Sequence, residues 1–308
     1  MNKKLLFVYN PHSGMQVIAR NLAKIIDYFT KSGYDVTAHP TQAKGDCMAT
    51  VERLCNSYDL CVFAGGDGTL NEAINGMINA DFNKPYGYIP CGSTNDFSHS
   101  VGIPRQTMEA AKVAVEGKPF AYDVGKLNER YFTYVAAFGT LTEVSYSTPQ
   151  ETKNALGFLA YVLEGIVALG QMKSFQIEFE SDVRSGSGDY LIGLVSNTLH
   201  VAGMKNFLGK DISLDDGLFE VILIKRPQDL LELNSILTSV AKQELDSEYI
   251  DYFKADRLSI KCAEGLSWTL DGENGGRHVV SNISCHTKAL AVKTNGKKNQ
   301  LELSNLDG

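Results

Sequence analysis

No CxxC pair and no His/Cys cluster at zinc spacing occurs in these 308 residues. The six cysteines, Cys47, Cys55, Cys61, Cys91, Cys262 and Cys285, are scattered. They read as small apolar residues of a reducing compartment, not as a disulfide framework. Long apolar runs are also missing. The longest, Leu156 to Gly170, contains Glu164, whereas a membrane-spanning helix needs about 20 mostly apolar residues. The first apolar run, Leu5 to Tyr9, meets Asn10 and Pro11 after five residues. A secretory leader needs roughly 7–15, so this run is a strand. Positive charge is in deficit, with 29 Lys and Arg against 36 Asp and Glu and a net charge of −7. That balance argues against nucleic acid as a partner, because phosphate backbones attract basic surfaces. A cytoplasmic protein with no transmembrane segment is expected, one that meets any lipid transiently at the membrane surface. Its oligomeric state is left open, a homodimer included.

What is present is enough apolar sequence for a packed core, 44% hydrophobic against 21% charged. The length suits two domains. Over the first 125 residues strand and helix alternate. Leu5–Tyr9 is a strand, and Ile18, Leu22, Ile25, Ile26 and Phe29 fall at helical spacing before Gly33. Tyr34–His39, Leu60–Ala64 and Tyr86–Pro90 read as further strands. Helices are expected around Met48–Cys55, Leu70–Ile78 and Thr107–Glu116. The pattern predicts an α/β domain over 1–125 with a mostly parallel, doubly wound sheet. Beyond Asp123 the segments RYFTYVAAF, SFQIEFES, GDYLIGLVSN, LFEVILIK, ADRLSIKC, LSWTLDG and ALAVK follow one another. Only two helical stretches interrupt them, near Asn154–Met172 and Gln228–Gln243. A β-rich, antiparallel, sandwich-like second domain is expected over 126–295, with a polar tail from 296 to 308. No internal repeat is visible.

The strongest local signal is GGDGTLNEAINGM, Gly65 to Met77, which follows a buried strand and opens a helix. Its glycines let the backbone turn tightly beside a bulky anion. The N–H groups of the first helical turn then point at that anion. Thr69 can cap the helix or bond a phosphate oxygen. Asp67 would repel phosphates unless a cation lies between, which favours a magnesium-bridged nucleotide. Asn10–Gly14 (NPHSG) and Cys91–Phe97 (CGSTNDF) also follow strands of the same sheet. Loops at the carboxyl ends of parallel strands gather on one edge, where ligands bind. Alone, NPHSG is a generic turn. With the other loops it extends a nucleotide site to which Thr41 adds weakly.

NPHSG, GGDGTLNE and GSTNDF, in this order and spacing, resemble the diacylglycerol kinase catalytic domain family, its soluble bacterial lipid kinases in particular. The likeness continues through DVGK at Asp123–Lys126, SLDDGLFEV at Ser213–Val221 and LDGE at Leu270–Glu273. It implies a two-domain enzyme with ATP in the interdomain cleft and phosphoryl transfer to a lipid hydroxyl, giving a lipid phosphate. By position, Asn10, Pro11, His12, Ser13, Gly14, Thr41, Gly65, Gly66, Asp67, Gly68, Thr69, Leu70, Asn71 and Thr94 would hold ATP. Glu273 would accept the hydroxyl proton, with Asp271 and Asp123 supporting it and the metal. Asp216 would hold a second, structural Mg2+, with backbone oxygens from Ser213 and Leu218. Without the resemblance, Asp215–Gly217 is a β-turn and Asp271 with Glu273 a strand-end turn. Two departures stand out. Family members often carry Lys or Arg where this chain has Met15, and a basic residue near Ser98 and His99. Both changes remove positive charge near the expected phosphates or headgroup.

The GGDGT signature is shared with NAD kinases, so an NAD kinase-like phosphotransferase is the first rival. NDF and the DDG segment favour the lipid branch. A non-catalytic nucleotide-binding sensor is the second, and Asp67, Asp271 and Glu273 argue against it. Leu156–Leu169 either packs on the sheet or presents an apolar face to acyl chains.

Overall fold

The computed structural model describes residues 2–93, 95–139, 173–197, 200–201, 204–205, 213–242 and 245–296. The chain forms two compact units, Met1–Tyr122 with Lys288–Gly308, and Asp123–Thr287.

In the first unit the apolar run after the start is strand β1 (Lys3–Tyr9), and five of its seven residues are buried. Helix α1 (Val17–Lys31) follows, then β2 (Tyr34–Pro40), α2 (Asp46–Leu54), β3 (Leu60–Gly65) and α3 (Asp67–Asn79). Strand β4 (Gly87–Pro90) and helices α4 (Asp96–Ser100) and α5 (Thr107–Glu116) complete the alternation. The strands lie in the order β2-β1-β3-β4, all parallel. Every residue of β3 is buried, as expected for an inner strand covered on both faces, whereas no residue of β2 at the edge is fully buried. Strand order reverses between β1 and β3, so the loops that leave those two strands flank the sheet's switch point.

The second unit is β-rich. Strand β5 (Lys118–Leu127) runs into it, followed by β6 (Arg130–Phe132), β7 (Val135–Gly139), β8 (Phe175–Ser181) and β9 (Ser185–Ser196). A small hairpin, β10 (His200–Val201) with β11 (Met204–Lys205), precedes β12 (Phe219–Lys225) and helix α6 (Leu230–Lys242). Strands β13 (Ile250–Ala255), β14 (Arg257–Leu270) and β15 (Glu273–Thr294) close the order. The main path is β13-β12-β9-β7-β14-β15-β5-β6, and β8 pairs with both β9 and β14. The β9, β12, β13, β14 and β7 pairings are antiparallel. Aromatic rings fill the core: Phe138 meets Trp268 edge-on at 5.0 Å, and Phe179 stacks on Phe253 at 5.7 Å. Trp268 Nε1 donates to Ser281 Oγ at 2.8 Å, which satisfies the one polar atom that the indole buries.

The expected fold class holds, with two differences in layout. The end of CGSTNDF, read as a loop, opens a short helix, α4, at Asp96; Phe97 anchors it against Tyr122 at 4.9 Å. The segment from Lys288, placed by sequence in the second domain, belongs to the first unit. Tyr86 bridges Val292 in parallel, and Tyr86 N–H donates to Ala291 O at 2.9 Å. ALAVK reads locally as a strand, but nothing local says which sheet it joins. The expected helix near Asn154–Met172, Leu156–Leu169 within it, and residues 297–308 of the tail lie outside the described residues. Among the described residues no helix is long and apolar enough to cross a membrane.

Candidate functional site

On the first unit the carboxyl ends of the strands bring the predicted loops together. Asn10 leaves β1 with its N–H on Ala64 O at 2.9 Å, and its Oδ1 accepts from His12 N–H at 2.9 Å. Ser13 N–H then folds back onto Asn10 O at 3.3 Å, so Pro11 lies inside a closed turn. Gly14 follows at φ +53°, where a Cβ would lie 2.0 Å from Cys91 O. Only glycine lets this loop touch the loop that leaves β4. Cys91 N–H donates to Gly65 O at 2.7 Å, and a Cβ on Gly92 would lie 2.8 Å from Gly66 Cα. The loops after β1, β3 and β4 are thus packed backbone to backbone. Thr41 joins the edge through its N–H on Tyr9 O at 2.9 Å. Glu72 of α3 ties in the following segment by accepting Gly45 N–H at 2.7 Å.

Helix α3 starts at Asp67 with Gly66 as its N-cap. The N–H groups of Gly68 and Thr69 lie in the first turn, where an α-helix offers no intrahelical acceptor. That turn is suited to an anion. Leu70 and Asn71 point inward, at 1% and 3% exposure, and Leu70 N–H is taken by Gly66 O at 3.1 Å. Asn71 Oδ1 accepts Asn75 Nδ2–H at 3.3 Å. Asp67 has a contact that sequence did not suggest: its Oδ2 accepts Asn95 N–H at 3.0 Å. Asn95 in turn clamps Gly92 from both sides, accepting its N–H at 2.7 Å and donating to its carbonyl at 2.8 Å. Asp67 therefore pins the third loop to the second. It also helps burial raise the Tyr88 hydroxyl well above its ordinary pKa. Asp96, quoted in NDF but given no role, is 2% exposed in the first turn of α4. Thr94 lies outside the described residues.

In the second unit the turn Asp271–Gly272 joins β14 to β15, with φ +50° and +84°. Two positive φ values are what a two-residue type I′ hairpin demands, and Asp-Gly suits it. Leu270 then faces Glu273, whose side chain is half-buried at the first position of β15. Asp271 is 3% exposed and turns its carboxylate onto the backbone. Oδ2 accepts Thr133 N–H at 2.7 Å, and Oδ1 accepts Tyr134 and Val135 N–H at 3.0 and 3.1 Å. Tyr134 O passes the link on by accepting Ser196 Oγ–H at 2.9 Å and Asn197 N–H at 3.1 Å. Asn197 Nδ2 donates to Asp123 O at 3.0 Å. Asp123, fully buried, donates its N–H to Leu214 O at 2.8 Å and accepts Gly217 N–H on Oδ2 at 2.6 Å. One hydrogen-bonded network thus runs from the Glu273 hairpin to the turn that holds Ser213, Asp216 and Leu218.

That turn is rich in oxygen. Ser213 Oγ donates to Asp215 Oδ1 at 2.7 Å, and Asp216 Oδ1 accepts Leu218 N–H at 3.1 Å. Among the described residues no three His, Cys, Asp or Glu side chains gather as a metal cluster. A cation here would rest on Asp216 and backbone oxygens, a donor set that suits a hard ion such as Mg2+. Glu220 sits nearby, 1% exposed, with Oε1 3.0 Å from Lys254 Nζ and Oε2 buried without a hydrogen-bond partner among the described residues. Burial pushes its pKa up to about 7 against the pull of Lys254. Lys254 also faces Asp216 Oδ2 at 3.9 Å. Burial, helped by Asp123, Asp216, Asp256 and Glu220, raises the Cys285 thiol to about 12. Sequence reading missed Asn197, Ser196, Tyr134, Glu220 and Lys254. Only Glu220 gave a signal, as a lone acid in the apolar strand LFEVILIK.

Known proteins resemble this chain over most of its length. The model of the diacylglycerol kinase catalytic domain matches residues 4–127. A protein named diacylglycerol kinase from Bacillus subtilis (strain 168) is 34% identical over 303 residues, covering 97% of this chain and 99% of its own. One of the same name from Staphylococcus aureus (strain JH9) is 36% identical over 279 residues, 90% of this chain and 88% of its own. A crystal structure from Bacillus anthracis str. Sterne, provisionally described as a diacylglycerol kinase, superposes with a TM-score of 0.79. It is 25% identical, and the match covers 96% of each chain.

Proposed function

This chain belongs to the diacylglycerol kinase family and is a kinase that transfers phosphate to an alcohol, and from that premise we propose that it uses ATP to phosphorylate a hydroxyl of diacylglycerol or a closely related lipid. The observation that carries the nucleotide half is the backbone packing of three Gly-containing loops on the first unit, with Gly14, Gly66 and Gly92 at the contacts. Phosphoryl transfer depends on positioning and charge neutralisation more than on covalent chemistry. The loops at Asn10–Gly14 and Gly65–Thr69 hold the triphosphate through backbone N–H groups, Thr41 joins the same edge, and Thr94 is assigned to the nucleotide from the sequence pattern alone. Asp67 keeps the loops in register through Asn95.

Glu273 accepts the proton of the lipid hydroxyl as its oxygen attacks phosphorus. Asp271 fixes the hairpin that presents Glu273 by holding three backbone N–H groups, and Asp123 holds the turn at Gly217. Mg2+, when bound, offsets negative charge on the phosphates, and a structural Mg2+ would be held by Asp216 with the backbone oxygens of Ser213 and Leu218. The chain meets its lipid at the membrane surface. The test is transfer of labelled phosphate from ATP to a panel of dioleoylglycerol, sphingosine, undecaprenol and phosphatidylglycerol in mixed micelles, with NAD alongside. Labelled phosphatidic acid supports the reading; labelled NADP alone, or no product, overturns it.

A further inference from the structure

Tyr88 lies on β4 and is 1% exposed. The register sets it beside Phe63 of β3. Its hydroxyl reaches further along β3, to the end of that strand, where it donates to Gly65 O at 3.1 Å. Gly65 O also accepts Cys91 N–H at 2.7 Å. A carbonyl oxygen has two lone pairs, so this one is fully engaged, and both donors belong to β4 or the loop that leaves it. Against a carbonyl the hydroxyl can only donate. It keeps its proton, because burial first, and Asp67 next, raise it well above its ordinary pKa.

These two bonds set the direction of one peptide. The Gly65–Gly66 bond is trans, so its C=O and N–H point opposite ways. With the C=O turned to β4, Gly66 N–H is turned to β1, which lies on the other side of β3. Along the β1–β3 ladder Asn10 N–H donates to Ala64 O, and the next rung would carry Gly66 N–H onto Asn10 O. That oxygen accepts Ser13 N–H instead, at 3.3 Å, and Gly66 N–H has no backbone acceptor among the described residues. The N–H thus faces the loop Asn10–Gly14, between the two loops assigned to the triphosphate. Hydrogen bonds on a carbonyl also polarise the N–H of the same peptide, which makes it a stronger donor.

We propose that Tyr88 is a positioning residue of the nucleotide site: its hydroxyl locks the Gly65–Gly66 peptide so that Gly66 N–H meets a phosphate oxygen of the nucleotide. The inference rests on the ATP reading and adds to it a side chain that acts from beneath the loop, not on a reactant. Without the hydroxyl, Cys91 N–H alone holds the carbonyl. The peptide then tips more freely, and a donor that was already oriented must be ordered on binding.

Tyr88→Phe removes the oxygen and keeps the ring and its packing. The control is Tyr86→Phe, which removes an equally buried hydroxyl whose partner is Tyr122 Oη at 2.7 Å, not a loop residue. For each protein the Kd for ATP is measured by titration calorimetry at fixed Mg2+, together with Tm and with kcat on dioleoylglycerol at saturating ATP. Loss of one hydrogen bond of ordinary strength predicts a Kd about three- to tenfold higher for Tyr88→Phe, with kcat at saturating ATP retained. Tyr86→Phe should bind ATP as wild type does, although its Tm falls as well. An unchanged Kd in Tyr88→Phe makes the hydroxyl merely structural and overturns the inference alone, as does an equal weakening in Tyr86→Phe. A wild-type protein that binds no ATP overturns the nucleotide reading, and the inference with it.

Discussion

Asp271→Asn should unfold the second unit more readily before it reveals anything about chemistry. The wild-type carboxylate accepts three backbone N–H groups, from Thr133, Tyr134 and Val135, at 2.7 to 3.1 Å in a site 3% exposed. An asparagine can keep its Oδ1 on Tyr134 and Val135, but its NH2 must then face Thr133 N–H, donor against donor. Hydrogen bonds to a charged group contribute about 1.5–3 kcal/mol each, and an unsatisfied buried donor costs about 1–3 kcal/mol. The three bonds share one carboxylate and do not add. A loss of about 3 kcal/mol follows for Asn, and about 5 kcal/mol for Ala, at the upper end of single substitutions. For a domain of this size each kcal/mol moves Tm by about 2–4 °C, so Asp271→Asn should melt about 6–12 °C lower. Thermal unfolding followed by circular dichroism, with kcat measured well below the transition, separates the roles. A Tm within about 1 °C of wild type, together with a large fall in kcat, would refute the reasoning and return Asp271 to the reacting groups.

Two further outcomes follow from the first unit. Gly14→Ala forces a left-handed backbone on an L-residue, which costs about 1–2 kcal/mol, and drives a methyl group to 2.0 Å from Cys91 O; the loops must part, and the KM for ATP should rise at least about tenfold, so an unchanged KM sinks the loop contact as a nucleotide determinant. Asp46 is held below its ordinary pKa mainly by Gln42 N–H, then by His39 and Thr50. A depressed carboxyl stabilises the fold above its unfolded pKa and loses that contribution as pH falls through the folded value. The Tm gap between wild type and Asp46→Asn should therefore be open at neutral pH and close well below about pH 4; a gap that widens with acid contradicts the assignment.

The parts of this structure that could be read from sequence are those with local signals. The run Leu5–Tyr9, the helical spacing from Ile18 to Phe29 and the Gly-rich string after β3 each announce themselves within a dozen residues. The turn at the strand end before Glu273 does so too, though not that it closes a hairpin. The rest depends on partners far away in the chain. Asp271 reads as an acid beside a base, yet its carboxylate serves amides 136 to 138 positions away. Asp67 reads as a partner for a cation, yet it also holds Asn95, 28 positions on. The strand beyond Lys288 has the right pattern for a sheet but no mark of which one. Asn197 is a single amide at the end of an apolar strand, and nothing local announces that it is buried with an oxygen unpartnered among the described residues.

The central claim is that Glu273 accepts the proton of a lipid hydroxyl during transfer from ATP. Glu273→Gln keeps size and hydrogen-bonding shape but removes basicity. The direct measurement is the rate of labelled phosphatidic acid formation from ATP and dioleoylglycerol by wild type and Glu273→Gln, with ATP affinity determined on the same preparations. General-base assistance is worth about 10²–10⁴-fold, so kcat should fall by that range while ATP affinity stays near wild type. An unchanged kcat would place the base elsewhere, and a collapse of ATP binding would make Glu273 a ligand of the nucleotide or its metal.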